Sequence, residues 1–201
     1  MRTLPPGSTI GILGGGQLGR MLSMAAAQLG YRCHIYAPDE RSVAAEVAAE
    51  FSCHQEDDIP ALTKFAKACD AITFEFENVP VGPLHEIEEC ASLYPPIAAL
   101  DIAQNRVAEK KFARDHGGTT APFAEVYDRA DLDQAIADIG APAILKTIRM
   151  GYDGKGQSRI RPGDELCGHW DAVAHQPCVA EAFITFSHEF SVILVRGQDG
   201  E

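Results

Sequence analysis

A strand that runs into three consecutive glycines and then into a helix constrains this chain more than any other feature. Thr9–Leu13 is a short β-branched and aliphatic run, and Gly14, Gly15 and Gly16 follow at once. Residues 17–29 then place Leu18, Met21, Leu22, Ala25 and Leu29 at helical spacing before Gly30. A strand that turns straight into a helix starts a crossover, and crossovers join parallel strands. Residues 32–36 read as a second strand, 43–49 as an Ala-rich helix, 59–68 as a helix and 71–74 as another strand. The alternation predicts an α/β unit, a parallel sheet with helices on both faces, over residues 1–99.

The pattern changes near Pro95-Pro96. Residues 100–116 read as one long helix closed by Gly117-Gly118, a connecting helix over 100–118. Beyond it, 123–127, 143–147, 158–160, 179–183 and 190–195 read as strands, with a helix over 132–139. Residues 119–201 therefore read as a second, α+β unit. Gly197-Gln198-Asp199-Gly200 is a turn signal after a strand, so the second unit is expected to be truncated at its C-terminus.

The formal net charge of −12 carries no cluster of Lys and Arg, which excludes the electrostatics of nucleic-acid binding. The six cysteines form no C-x-x-C pair, and free thiols in a reducing compartment are expected rather than a zinc site. The first apolar run is far too short for a signal segment or a membrane span, so the chain reads as cytoplasmic. The histidines lack ligand spacing and receive no catalytic role. Trp170 is expected to pack at a domain surface.

Three motifs carry chemistry. Gly14-Gly15-Gly16-Gln17-Leu18-Gly19 fits G-x-G-x-x-G between a strand and a helix, where free N–H groups can face a phosphate. Asp39 follows the second strand, where a ribose-binding acid would sit. Alone, this motif fits NAD, another phosphate ligand or a purely structural turn. Second, Lys146 ends an apolar strand, where a cation is costly to bury unless it meets an anion. The loop Gly151, Tyr152, Asp153, Gly154, Lys155, Gly156, Gln157 follows; it is no Walker A sequence but has the physics of a phosphate-covering loop, with a solvated turn as the other reading. Third, Glu181 lies in an apolar strand and Glu189 follows eight residues later, a pattern that suits ribose hydroxyls and an adenine edge or, equally, an ordinary surface.

Together these residues resemble the N5-carboxyaminoimidazole ribonucleotide synthetase family of ATP-grasp ligases. The resemblance rests on residues 10–22, on Thr73-Phe74-Glu75-Phe76-Glu77-Asn78-Val79-Pro80, on Gln104-Asn105-Arg106, on Lys146, on the 151–157 loop, and on Glu181 with Glu189 in order. It spans nearly the whole chain. It implies a Rossmann-like pre-ATP-grasp domain followed by the first part of an ATP-grasp domain, whose small subdomain begins near residue 119. The implied reaction is ATP-dependent carboxylation of 5-aminoimidazole ribonucleotide with bicarbonate through carboxyphosphate, giving ADP and phosphate, in purine biosynthesis.

By the same resemblance, Arg106 and Lys146 would contact ATP phosphates, and Gly151 to Gln157 would close over them. Glu181, Ala182, Phe183 and Ile184 would meet adenine, and Glu189 the ribose. Tyr152 and Asp153 would lie nearest the reacting groups. Gln17, Glu75 and Glu77 are candidates for the ribonucleotide. The resemblance also implies Mg2+, with its acidic ligands expected beyond residue 201, so the 201 residues alone are expected to be catalytically inactive. Family members are often homodimers. Two other readings remain: an NAD-dependent oxidoreductase, resting on the glycine turn and Asp39, and a non-catalytic nucleotide-binding module.

Overall fold

The computed structural model describes residues 3–151, 155–197 and 200. The chain forms two compact units that divide between Ala103 and Gln104.

The first unit alternates strands and helices: β1 (Thr9–Leu13), α1 (Gln17–Gln28), β2 (Arg32–Ala37), a 3-10 turn (Ala45–Val47), β3 (Glu50–Cys53), α2 (Ile59–Lys67), β4 (Ala71–Phe74), α3 (Val81–His85) and α4 (Ile97–Ala103). Its four strands are parallel, in the order β3-β2-β1-β4. Side chains alternate across the sheet. Leu13 and Tyr36 face Leu62, Phe65 and Ala66 of α2, whereas Ile12, Cys33 and Ile35 face the other way with Ala44 and Ala26 of α1. The direction of connection reverses between β1 and β4, and in such sheets the crevice at the carboxyl ends of those strands is the ligand position.

The predicted helix over 43–49 is corrected to that one 3-10 turn, and β3 follows it unforeseen. Helix propensity yields to pairing. Ala44 N–H bonds Gly15 O, Ala49 N–H bonds Cys33 O, and Glu50 enters register with His34.

The second unit contains α5 (Arg106–Asp115), β5 (Phe123–Val126), α6 (Arg129–Ile139), β6 (Ala143–Thr147), β7 (Gln157–Ile160), α7 (Leu166–Ala172) and β8 (Cys178–Ala182). Its strands form an antiparallel sheet in the order β5-β8-β6-β7. One face packs on α6 and α7 through Leu132, Ala135, Leu145, Ala180 and Trp170. Trp170 is thus a core residue, 9% exposed, and not the surface residue expected. The other face packs Val179 and Ile148 against Val107 of α5.

The single helix expected over 100–116 is two, α4 and α5, broken at Gln104 and Asn105. Asn105 is extended (φ −123°), and its side-chain oxygen accepts N–H bonds from Val107 and Ala108, a helix start rather than a helix interior. Asn105→Ala should cost about 1 kcal/mol. Unfolding followed by the fluorescence of Trp170, the one tryptophan and a member of the same unit, checks this. The strand expected over 190–195 is also absent. Phe190, Ile193 and Val195 are 82%, 91% and 91% exposed, and among the described residues no strand takes up their backbone groups.

Candidate functional site

In the first unit, the chain leaves β1 through Gly14, whose φ of +113° favours glycine and whose N–H bonds Tyr36 O at 2.9 Å. The space beside the turn is taken by Glu75, just beyond β4. Glu75 Oε1 accepts the Gly16 N–H at 2.8 Å, and a Cβ on Gly14 would stand 2.6 Å from that same oxygen. On the other side Ser42 Oγ donates to Gly15 O at 3.0 Å. The turn borders a cavity of about 420 Å3 that also takes in Asp39, Arg41, Ser42 and Glu56. A second cavity of about 330 Å3 is lined by Phe74, Glu75, Phe76, Glu77, Pro95 and Leu100.

The structure therefore places Glu75 on the glycine turn, and Glu77 in the neighbouring cavity. Gln17 is exposed at the start of α1 and lines neither. Asp39 turns back on its own chain, accepting the Arg41 N–H at 2.8 Å. Glu56 was not foreseen. Burial first, and then the neighbouring Asp57, raise its pKa above the ordinary carboxylate value. No spacing rule distinguishes it from the other acids of residues 56–58.

His34, at the centre of this unit, is buried between strands. Its Nε2 lies 2.9 Å from Ser52 Oγ, its Nδ1 is 3.7 Å from Glu50 Oε2, and its ring meets Phe65 edge-on. Burial lowers its pKa, opposed by the Glu50 charge. The unfolded chain therefore takes up this proton first. The contribution to stability is complete above the unfolded value near 6.5 and is lost as pH falls through that value towards the lower folded one. Urea midpoints should fall between pH 7.5 and pH 5, and fall less in His34→Gln. Equal falls would contradict this.

In the second unit the alternation of β6 sends Leu145 and Thr147 to one side and Lys146 to the other. On β8, Glu181 shares the face of Val179, and its side chain is 10% exposed. Each carboxylate oxygen holds one ammonium: Lys146 Nζ lies 3.0 Å from Oε2, and Lys110 Nζ of α5 lies 3.1 Å from Oε1. Lys110 also stands over the Phe123 ring, 5.8 Å from its centre. One carboxylate between two ammoniums leaves one positive charge in excess, a setting for an anion.

Arg106 opens α5 and braces the loop that follows β6. Its guanidinium donates to Thr147 O at 2.9 Å and to Gly151 O. Thr147 N–H bonds Gly156 O at 2.8 Å. Gly156 has φ +66°, and a Cβ there would lie 2.6 Å from Thr147 Oγ1. The loop is thus pinched at its base by two glycines. Gln157, the first residue of β7, pairs with Lys146, and Lys155 is exposed. Tyr152, Asp153 and Gly154 lie outside the described residues. Ala182 ends β8, Phe183 N–H bonds Pro142 O, and Arg159 covers the Phe183 ring at 4.2 Å. Ile184 is half exposed, and Glu189 is exposed in the segment after β8. The structure thus gathers Arg106, Lys146, Gly151, Gly156, Gln157 and Glu181 around the end of β6. Sequence reasoning missed Lys110, although its i,i+3 spacing from the apolar Val107 puts both on one helix face.

Residues 7–104 match the ribonucleotide synthetase preATP-grasp domain, and residues 111–201 match the ATP-grasp domain. The N5-carboxyaminoimidazole ribonucleotide synthase of Brucella melitensis is 46% identical over 200 residues, 98% of this chain and 55% of that protein. The N5-carboxyaminoimidazole synthetase of Staphylococcus aureus complexed with ADP superposes with a TM-score of 0.87 at 36% identity, over 92% of this chain and 49% of that one. The Aspergillus clavatus N5-carboxyaminoimidazole synthase in complex with ADP and 5-aminoimidazole ribonucleotide has a TM-score of 0.82 at 27% identity, over 90% and 48%.

A preATP-grasp unit followed by ATP-grasp sequence is the class these matches define, in accord with a parallel unit ahead of an antiparallel one. Within that class the chain belongs to the N5-carboxyaminoimidazole ribonucleotide synthetase family. It spans about half the length of the curated relatives it matches. Among the described residues no helix is long and apolar enough to cross a membrane.

Proposed function

We propose that this chain is part of a carbon–nitrogen ligase that carboxylates 5-aminoimidazole ribonucleotide. ATP would phosphorylate bicarbonate, giving carboxyphosphate and ADP. The exocyclic amine of the ribonucleotide would then take the carboxyl group and lose a proton, and phosphate would leave. The observation that carries this reading is the surplus cation at Lys146, beside a glycine-pinched loop braced by Arg106. There Lys146 and Arg106 would meet the ATP phosphates, the 151–157 loop would cover them, residues 181–184 would border adenine, and Glu189 would bind the ribose. Tyr152 and Asp153 would stand near the reacting groups.

The glycine turn belongs to the ribonucleotide in this reading, with Glu75 and Glu77 as acceptors for its hydroxyls and Gln17 as a weaker contact. The bound carboxylate of Glu75 argues against a dinucleotide, because it takes the amide a pyrophosphate would use. Magnesium would accompany ATP. Among the described residues no group of three or more His, Cys, Asp or Glu side chains is placed to hold a metal ion. The whole protein is proposed as a cytoplasmic homodimer, with the Rossmann-like unit over 1–99, the connecting segment over 100–118 and the ATP-grasp small subdomain from 119.

Calorimetric titration tests the reading. ATP and 5-aminoimidazole ribonucleotide should each bind, and NADH should not. NADH binding without ATP binding would overturn it.

A further inference from the structure

Lys110 lies outside every motif that pointed to a nucleotide, yet it holds one half of the carboxylate that also holds Lys146. The helix face that anchors α5 through Val107 carries Lys110 onto Glu181 Oε1 at 3.1 Å, while Lys146 occupies Oε2 at 3.0 Å. Both lysines are largely covered, with 18% and 26% of their side chains exposed, so solvent screens the cluster weakly. The ring of Phe123, whose residue pairs with Glu181 across β5 and β8, supports the Lys110 ammonium from a second side.

We propose that Lys110 is a positioning residue for the nucleotide: it satisfies Glu181, so that Lys146 keeps a charge to offer to phosphate. This rests on the ATP reading of the site. With Lys110 present, the three side chains sum to one positive charge. Without it, Glu181 and Lys146 neutralise each other. A phosphate must then break a one-to-one ion pair to reach the Lys146 ammonium. The role is indirect, since Lys110 acts through Glu181 and need not touch the ligand.

Titrating the chain with ATP across a series of salt concentrations tests the proposal, using wild type, Lys110→Met, Lys110→Arg and the double variant Lys110→Met with Glu181→Gln. Lys110→Met should weaken ATP binding roughly tenfold and flatten its salt dependence, the order expected for one unit of charge at a partly covered site. Lys110→Arg should return to within about threefold of wild type. The double variant, in which Lys146 again stands as an unneutralised cation, should recover most of the loss. A merely structural Lys110 predicts the reverse, a double variant weaker than Lys110→Met with an unaltered salt slope, and that result would overturn the proposal. Unchanged ATP binding in Lys110→Met would overturn it too. Absence of ATP binding in the wild-type chain would sink this proposal together with the ATP reading, whereas wild-type binding with an indifferent Lys110 sinks this proposal alone. Should Lys110→Met fail to fold, the folded double variant carries the same test, because its affinity either approaches wild type or does not.

Discussion

Replacing Phe65 by alanine should cost the first unit about 3–5 kcal/mol, the largest effect expected of any single change here. Phe65 is 1% exposed and joins three elements. Its ring centre lies 4.9 Å from that of His34 and 5.2 Å from that of Tyr36, both on β2. Its Cζ fills the space beside Gly11 of β1, where a Cβ would come within 2.7 Å. Truncation leaves a cavity between α2 and the sheet that backbone strands on one side cannot collapse to fill. Whole domains are stable by only about 5–15 kcal/mol, so the loss is a large share of the total. Phe65→Leu keeps most of the volume and should lose much less. Urea unfolding of the three proteins decides the matter, and a cost below about 1 kcal/mol for alanine would show that Phe65 is not the keystone described.

The second large effect concerns ligand rather than fold. Lys146→Ala should weaken ATP binding by about 2–3 kcal/mol, roughly 30- to 150-fold, the loss of one charge-assisted contact to phosphate. The variant leaves Glu181 paired with Lys110 alone, so the excess positive charge disappears as well. Stability should change little, because Glu181 keeps a partner on its more covered side. Calorimetry of the variant beside wild type checks both parts, and full retention of ATP affinity would remove Lys146 from the site.

β1, α1, β2, α2 and β4 were legible because each period is local. The parallel sheet, the glycine turn and Lys146 at a strand end follow from spacing, whereas spacing left Glu181 open between a binding acid and an ordinary surface residue, and only the packing of β8 covers it. What escaped the sequence depends on partners far along the chain. Residues 43–49 read as an Ala-rich helix and Glu50–Cys53 as nothing in particular, until Cys33 and His34 supply the backbone groups that draw the chain into β3. The break between α4 and α5 turns on one side-chain cap at Asn105 within an otherwise helical pattern. Residues 190–195 have the composition of a strand but no described neighbour to pair with. Lys110 belongs to the site only because β8 brings Glu181 beneath α5, a contact across 71 residues of sequence. Glu75 is the converse case: its place near the substrate was expected, but its bond to the Gly16 amide was not. That bond changes what the glycine turn can accept.

We propose that the nucleotide is held by the second unit around the end of β6, and not by the G-x-G-x-x-G turn. Amide chemical shifts of the isotope-labelled chain, followed while ATP is added, test it most directly. Shifts should concentrate at Arg106, Thr147, Gly151, Gly156 and Glu181, with residues 14–19 undisturbed. Shifts confined to Gly14, Gly15, Gly16 and Gly19, with β6 and β8 silent, would contradict it.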